Sequence, residues 1–561
     1  MTAAVVPQPE AATQVETDVV VVGGGPTGLA TAHFLAGHGV RTVVLEQRTT
    51  PSGHPRATVI NTRTMELLRH LGVDDEVRRA GVPLENTARI TWCTELAGTE
   101  LAALDIIASA DALMQRAANS PVLPVICSQN RVEALLGDRL PENARVIRGV
   151  RAEELTRTPS GVRVTAGGER PLVVEARYAV LAEGLHGPLR EKVGLRRTAA
   201  TPLGRLLDIH FSADLSPWTA GRESALYWVL SPTVRGVLIT VDPARGEWLL
   251  EIPALTAEEE HTYFEAEVDH HKLIEAAVGE SVGGLRIHSV RNWVMGSTGL
   301  TSWRSADGRV LAAGDAAHTF PPTGGFGMNT GIQDAHNLAW KLAAVLRGGA
   351  PDALLDSYER ERRPVAEFNA RHSEINALQK RALLQSRDDW SEFARTIDQH
   401  RPHFDFEGQV LGFTYAPNPG EPVVQDVVTY RPTARAGHRA PHAWLDRAGD
   451  RISTTDLART GFALLTGAEG AVWEQVARET PTVMGLPLTA AVITADGPRL
   501  RDVGGAFADS YALHGAEAVL VRPDGHVLAR LPGVAPRHEL RQAVDRTAGS
   551  GSVLGRVEGP S

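Results

Sequence analysis

The chain has 561 residues, 43% of them hydrophobic and 22% charged, with a formal net charge of −10. That is too long for one core and implies about three or four units at ~100–200 residues each. The mild acidity and the lack of a Lys/Arg block argue against a nucleic-acid partner. No apolar run approaches the ~18 residues of a membrane span.

Residues 1–16 are rich in Ala, Pro and Glu and lack the basic start and apolar stretch of a signal peptide, so a disordered lead-in is expected. Two cysteines, Cys93 and Cys127, stand outside any CxxC or histidine cluster. They read as reduced, partly buried thiols in a cytoplasmic protein, with no metal site.

The first ordered unit is "TDVVVVGGGPTGLATAHFLAGHGVRTVVLEQR", Thr17–Arg48. Val19–Val22 is an apolar run typical of a strand buried on both faces. A helix follows over Thr27–Ala36, stopped by Gly37 and Gly39, and Arg41–Leu45 is the next strand, which makes a βαβ unit. Within it Gly23, Gly25 and Gly28 fit G-x-G-x-x-G. The first glycine allows the tight turn, the second lets backbone approach a pyrophosphate, and the third lets helix pack on strand. The helix start turns free N–H groups toward the phosphates. Glu46 closes the second strand, where an acid takes ribose hydroxyls. Thr27, Gln47 and Arg48 complete the candidate nucleotide-binding set. The motif alone does not separate NAD from FAD, since both carry an ADP half.

Arg131–Leu140 reads as a helix, and short strands follow to about Gly184. From Leu206 to about Val290, "RLLDIHFSADL", "SALYWVLS", "RGVLITVDP" and "GEWLLEIP" read as one sheet, a second domain inserted in the first. The chain then returns at "GRVLAAGDAAHTFPPTGGFGMNTGIQDAHNLAWKLA". There Asp315 follows a buried strand, at the end where open α/β sheets bind ligands. Pro321 and Pro322 stiffen the turn. Gly324, Gly325 and Gly327 let backbone lie flat against a planar group. Met328 and Asn329 open an amphipathic helix whose positive end faces the same place. Helix continues through "SYERERRPVAEFNARHSEINALQKRALL", with Pro364 as a kink or boundary. Residues 401–439 look like a linker. A third domain is expected over 440–548, with a hairpin at Pro523–Gly525, and a flexible tail over 549–561.

Four stretches carry a resemblance: the glycine motif with Glu46, "HPRATVINTRTMELLRHLGV", "QNRVEALL" and the GDAAH segment. With these the chain resembles the FAD-dependent aromatic hydroxylases of the para-hydroxybenzoate hydroxylase and phenol hydroxylase type. The resemblance implies an α/β fold: a Rossmann-like FAD-binding domain (17–90, 120–200 and 290–400), an inserted β-rich substrate domain (91–119 and 201–289), and a C-terminal thioredoxin-like domain. That last domain lacks CxxC, so it is expected to serve packing or homodimer contact. The resemblance further implies that Arg56 and Gln129 contact the flavin, that Asp315 binds its ribityl chain, and that Pro322–Asn329 lies against the ring. The Pro322 carbonyl would face a flavin hydroperoxide. One departure stands out: near "LAEGLHGPLR" the family has Asp and Ser where this chain has Glu183 and Gly187.

The implied reaction is hydride transfer from NADPH or NADH to FAD, then O₂ activation as a C4a-hydroperoxide and hydroxylation of a phenolic or polycyclic aromatic substrate in natural-product tailoring. A base that helps form a phenolate is sought in the β-rich domain, where Tyr227 and His210 are candidates and ordinary packing is the alternative for each. Trp228, Trp248 and Trp293 are candidate cavity walls or core. The alternatives are an NAD-dependent dehydrogenase, a flavin-bearing protein that binds a reactive intermediate without NAD(P)H turnover, and a Baeyer–Villiger or antibiotic-inactivating oxygenase.

Overall fold

The computed structural model describes residues 13–548 apart from 84–85, 108, 169–170, 386–393, 396, 416–419 and 498–499. The tail expected over 549–561 and most of the lead-in lie outside the described residues. The lead-in is shorter than expected, because Thr13–Glu16 already pair with Leu172–Glu175 in the strand Thr13–Val22.

Three parallel strands form the centre of the first sheet. Val19–Val22 pair with Tyr178–Leu181 on one side and with Thr42–Leu45 on the other. Ala144–Arg148 extends the sheet beyond Thr42–Glu46. The long strand Leu172–Leu181 changes partner along its length: its first half pairs antiparallel with Gly161–Gly167, and its last residues pair parallel with Val310–Ala312. Helices Pro26–Gly37 and Phe326–Leu346 bury almost every residue over this sheet. Both glycine turns therefore leave parallel strands that flank Leu172–Leu181, at the same carboxyl edge.

The second sheet has eight strands in the order His318–Thr319, Arg286–Gly299, Thr201–Ser212, Glu247–Pro253, Arg235–Asp242, Leu226–Leu230, Arg89–Cys93, Glu100–Asp105. Its boundaries extend past the expected 91–119 and 201–289, since Arg89 opens one strand and Arg286–Gly299 runs through to the GDAAH segment. Alternation sorts its side chains. Ile209, Phe211, Tyr227, Leu238, Trp248 and Leu250 form a core with Cys93 and two short helices; the other face looks toward the first domain.

The C-terminal domain carries a five-stranded sheet in the order Thr482–Val483, Leu486–Val492, Phe462–Thr466, Ala518–Val521, Val527–Leu531. It docks through Trp340 against Phe462 and through a buried ionic network around Glu66, Glu361, Arg522 and Asp524. Both cysteines are buried and unbonded, and burial pushes both thiols up to about 12. Among the described residues no helix is long and apolar enough to cross a membrane.

Candidate functional site

The two glycine turns meet. Thr27 at the start of the first helix packs directly beneath Gly314 and Gly331 of the second segment. At the first turn Gly23 has φ +110°, and a Cβ on Gly28 would run into the Gly23 carbonyl oxygen. Gly25 is different, since a Cβ there would meet no protein atom within 4 Å. Glu46 ends its strand buried, accepting from the Gly24 N–H at 2.6 Å and from the Arg48 N–H at 2.8 Å. Arg48 also reaches Glu133, while Gln47 is exposed beside it.

The second turn is held from below. Asp334 accepts from His318 at 2.6 Å, from the Gly314 N–H at 3.2 Å and from Arg362 at 2.8 Å. Burial alone would raise its carboxyl, but its contacts with His318 and Arg362 hold it low. This clamp presents Asp315, which protein surrounds yet which keeps open surface toward the cleft; burial raises its carboxyl. Arg197 donates to the Asp315 carbonyl at 2.7 Å and keeps two buried nitrogens with no partner among the described residues. Gly325 adopts φ +68° and starts the helix. The Asn329 side chain is consumed in bracing this turn: it accepts from the Asn61 N–H at 3.0 Å and donates to the Val59 carbonyl at 2.8 Å. The Pro322 carbonyl, expected to face the reacting oxygen, accepts from the Gly325 N–H at 2.9 Å and closes the turn on itself. Open backbone at Gly25, orphan donors on Arg197 and an open carboxylate at Asp315 fit a dinucleotide with a polyhydroxyl linker.

A cavity of about 650 Å³ opens beside the second turn, lined by Pro321, Pro322, Gly324, Gly325, Gly327, Met328 and Asp315 on one side. Arg56 and Gln129 line it as well. Arg56 holds φ +49°, an uncommon conformation for a residue with a side chain and one concentrated at functional sites. Gln129 donates to Glu133 at 2.7 Å and is the first residue of the helix Gln129–Asp138. The inward face of the second sheet forms the opposite wall, with Leu226, Trp228, Val237, Ile239 and Leu249. Residues 401–439, expected as a linker, close one end instead: Phe404, Phe406, Glu407 and Val410 line the cavity, and Arg116 ties Asp405 at 2.6 Å and Glu407 at 3.3 Å. Their apolar side chains join the cores under Phe326 and around Trp228.

Neither proposed base lies in this cavity. Tyr227 sits between Leu226 and Trp228, so the two-residue period turns it to the opposite face, where its hydroxyl bonds the Ser224 N–H and the Arg222 carbonyl. Burial pushes it up to about 12. His210 shares the inward face but is not among the lining residues, and its ring lies 6.0 Å from that of His54 and 4.9 Å from that of His288.

Among the titratable groups that face the cavity, Asp208, Glu251 and Lys380 stand against its apolar wall. Asp208 and Glu251 are direct cross-strand neighbours. Asp208 accepts from Trp293 at 2.8 Å, with His54 at 3.8 Å. Burial pushes Asp208 up to about 7, opposed by Trp293 and Arg291, and pushes Glu251 up to about 8, aided by Asp208 and opposed by Lys380. Sequence reasoning passed these residues over, although "LLDI" and "LLEI" each set one acid between apolar neighbours. An acid at a core-like position is the signal that marks a cavity wall.

Carboxyls raised above their ordinary 3.8 and 4.5 hold protons that the unfolded chain has released, so their cost to stability grows as pH rises toward 8. Glu251→Gln is therefore expected to match the wild-type denaturation midpoint at or below pH 4.5 and exceed it at pH 8. Chemical denaturation of the apoprotein across this range checks the expectation.

The Glu183 and Gly187 departures are one change. Glu183 accepts from the Leu189 N–H at 3.1 Å and the Arg190 N–H at 3.0 Å, which caps the short helix Leu189–Lys192. Its longer side chain fills the space that a Cβ on Gly187 would need. Gly187→Ser alone is expected to cost about 1–3 kcal/mol by overpacking. In a Glu183→Asp background most of that cost should vanish; a double-mutant cycle in thermal stability measures the coupling.

A family model described as an FAD binding domain matches residues 16–373, and one described as the C-terminal region of aromatic-ring hydroxylases matches residues 433–551. The tetracenomycin A2 monooxygenase-dioxygenase of Streptomyces glaucescens is 36% identical, across 97% of this chain and 98% of its own. The flavin-dependent monooxygenase PieE, solved with FAD and substrate, matches with a TM-score of 0.84 at 28% identity, over 96% of this chain and 100% of that one. Aklavinone-11 hydroxylase, solved with FAD and aklavinone, matches at 0.81 and 30% identity, over 97% and 100%. Turn, cavity and both matched regions agree, and the chain belongs to the FAD-dependent aromatic-ring hydroxylases.

Proposed function

We propose that this protein is a monooxygenase that hydroxylates a phenolic or polycyclic aromatic substrate in natural-product tailoring, using NAD(P)H and O₂. The observation that carries this reading is the position of the cavity: its floor is the glycine turn and its roof an apolar, tryptophan-bearing sheet face. Relatives named for tetracenomycin A2 and aklavinone support a polycyclic substrate.

Gly23, Gly25, Thr27, Gly28 and Glu46 would hold the adenylate end of FAD. Asp315, Arg56, Gln129 and the backbone of Gly325, Gly327 and Met328 would hold its ribityl and ring end. When bound, FAD supplies hydride acceptance and O₂ activation for transfer of one oxygen atom, the other leaving as water. Phe404, Phe406 and Val410 keep bulk water from the ring, which limits wasteful peroxide release.

Anaerobic mixing of the holoenzyme with NADPH across a panel of phenols and quinones tests the reading. A large ligand-induced increase in flavin reduction, followed by a product carrying one added oxygen, is the expected result. A second reading, a flavin protein that holds a reactive intermediate without NAD(P)H turnover, is favoured by the Glu183/Gly187 change. Slow reduction with every ligand would select it.

A further inference from the structure

Glu251 and Lys380 face the cavity from opposite elements. Glu251 projects from the strand Glu247–Pro253 in a cross-strand row with Asp208 and Val237, and Val237 in turn pairs with Trp228. Lys380 comes from the helix Asp356–Gln385, its ammonium 5.0 Å from the Trp228 ring and 4.8 Å from Phe404. Asp208 is engaged by Trp293, but the Glu251 carboxyl makes no hydrogen bond or ion pair with a described residue, and the Lys380 ammonium meets only ring faces. They interact only through space: the ammonium lowers the Glu251 carboxyl against burial, and the carboxylate raises Lys380 against burial. An unpaired ammonium and an unpaired carboxyl at one edge of an apolar cavity are costly unless a ligand satisfies both.

The chemistry of the two groups defines that ligand. Lys380 offers only donors, and Glu251, whose carboxyl burial keeps protonated up to about 8, adds an O–H donor. Trp228 joins the two groups, since it pairs with Val237, which pairs with Glu251, and its ring lies 5.0 Å from the Lys380 ammonium. We infer that Glu251 and Lys380 form a two-point recognition site for a polycyclic substrate bearing a carbonyl and a hydroxyl side by side. Lys380 donates to the carbonyl oxygen, and Glu251, as the carboxylic acid, donates to the hydroxyl oxygen, whose own proton stays in the internal bond to the carbonyl. This assignment rests on the aromatic-substrate reading above and narrows it to peri-hydroxy quinones and related hydroxy ketones.

Equilibrium dialysis of the oxidised holoenzyme against 1-hydroxyanthraquinone and its 2-hydroxy isomer tests it. The 1-isomer sets hydroxyl beside carbonyl, and the 2-isomer does not. Wild type is expected to bind the 1-isomer about tenfold more tightly, the effect of one well-placed hydrogen bond. Lys380→Met and Glu251→Leu should each bring the two isomers within about twofold. The comparison is a ratio within each variant, so a change in overall stability does not imitate it. No isomer preference in wild type, or a preference that survives both substitutions, overturns the inference. Hydroxylation of other phenols with no isomer preference would sink this site while leaving the monooxygenase reading intact. Isomer preference without turnover on any substrate would support the site and sink the monooxygenase reading.

Discussion

Replacing Glu66 by glutamine is expected to destabilise the protein by about 3–5 kcal/mol, the cost of breaking a buried ion pair from one side. Glu66 is fully buried and accepts from Arg63 at 2.8 Å, from Arg439 at 2.9 Å and from Ser120 at 2.7 Å. Arg63 is the junction, because it also donates to the Asp524 carbonyl of the C-terminal domain at 2.7 Å. Glutamine keeps the volume but leaves two buried guanidiniums without their counter-charge. The pH dependence gives a signature. Burial alone would raise the Glu66 carboxyl, yet the two guanidiniums hold it at about 2, against 4.5 in an unfolded chain. Its stabilisation is therefore complete above pH 4.5 and lost as pH falls toward 2. The deficit of Glu66→Gln, followed by tryptophan fluorescence in urea, should be widest at neutral pH and shrink with acid. A midpoint equal to wild type at neutral pH would mean that solvent reaches the guanidiniums.

The glycine turns were legible because their signal is local. Strand, turn and helix around Gly23 to Gly28 are fixed by residues within thirty positions of one another, and so is the GDAAH segment. The substrate sheet was legible as strands but not as faces. In "ALYWVL" every position is apolar or aromatic, so the two-residue period gives no parity and leaves Tyr227 open between cavity and packing; Leu226 and Trp228 face the cavity. Residues 401–439 read as a linker because their anchors are distant: Asp405 and Glu407 find Arg116, nearly three hundred positions away, and Val410 packs near Phe326. The Glu251–Lys380 juxtaposition joins a strand to a helix over more than a hundred residues, and no local pattern encodes that distance. The Glu183/Gly187 change was visible as two departures, but only the shared space shows that they are one.

Gly25→Ala is expected to leave the apoprotein folded while weakening FAD binding about 10- to 100-fold, the effect of one extra methyl in a tight contact. Gly25 sits at φ −76°, ψ −177°, a conformation alanine adopts without strain, and its Cβ would meet no protein atom within 4 Å. What the methyl meets is the phosphate side of the turn, where close approach of backbone is the reason for glycine. Gly28→Ala is the contrasting case, because its methyl would be driven into the Gly23 carbonyl and separate helix from strand. Apoproteins should be compared, since bound FAD stabilises the fold by mass action and would mix the two effects. Gly25→Ala should then unfold at the wild-type midpoint but lose its flavin on dilution, whereas Gly28→Ala should show a lowered midpoint even as apoprotein. A Gly25→Ala protein that retains flavin as wild type does would show that no phosphate approaches this backbone. The assignment of the adenylate end to the first glycine turn would then fall, and with it the placement of the ring beside the cavity.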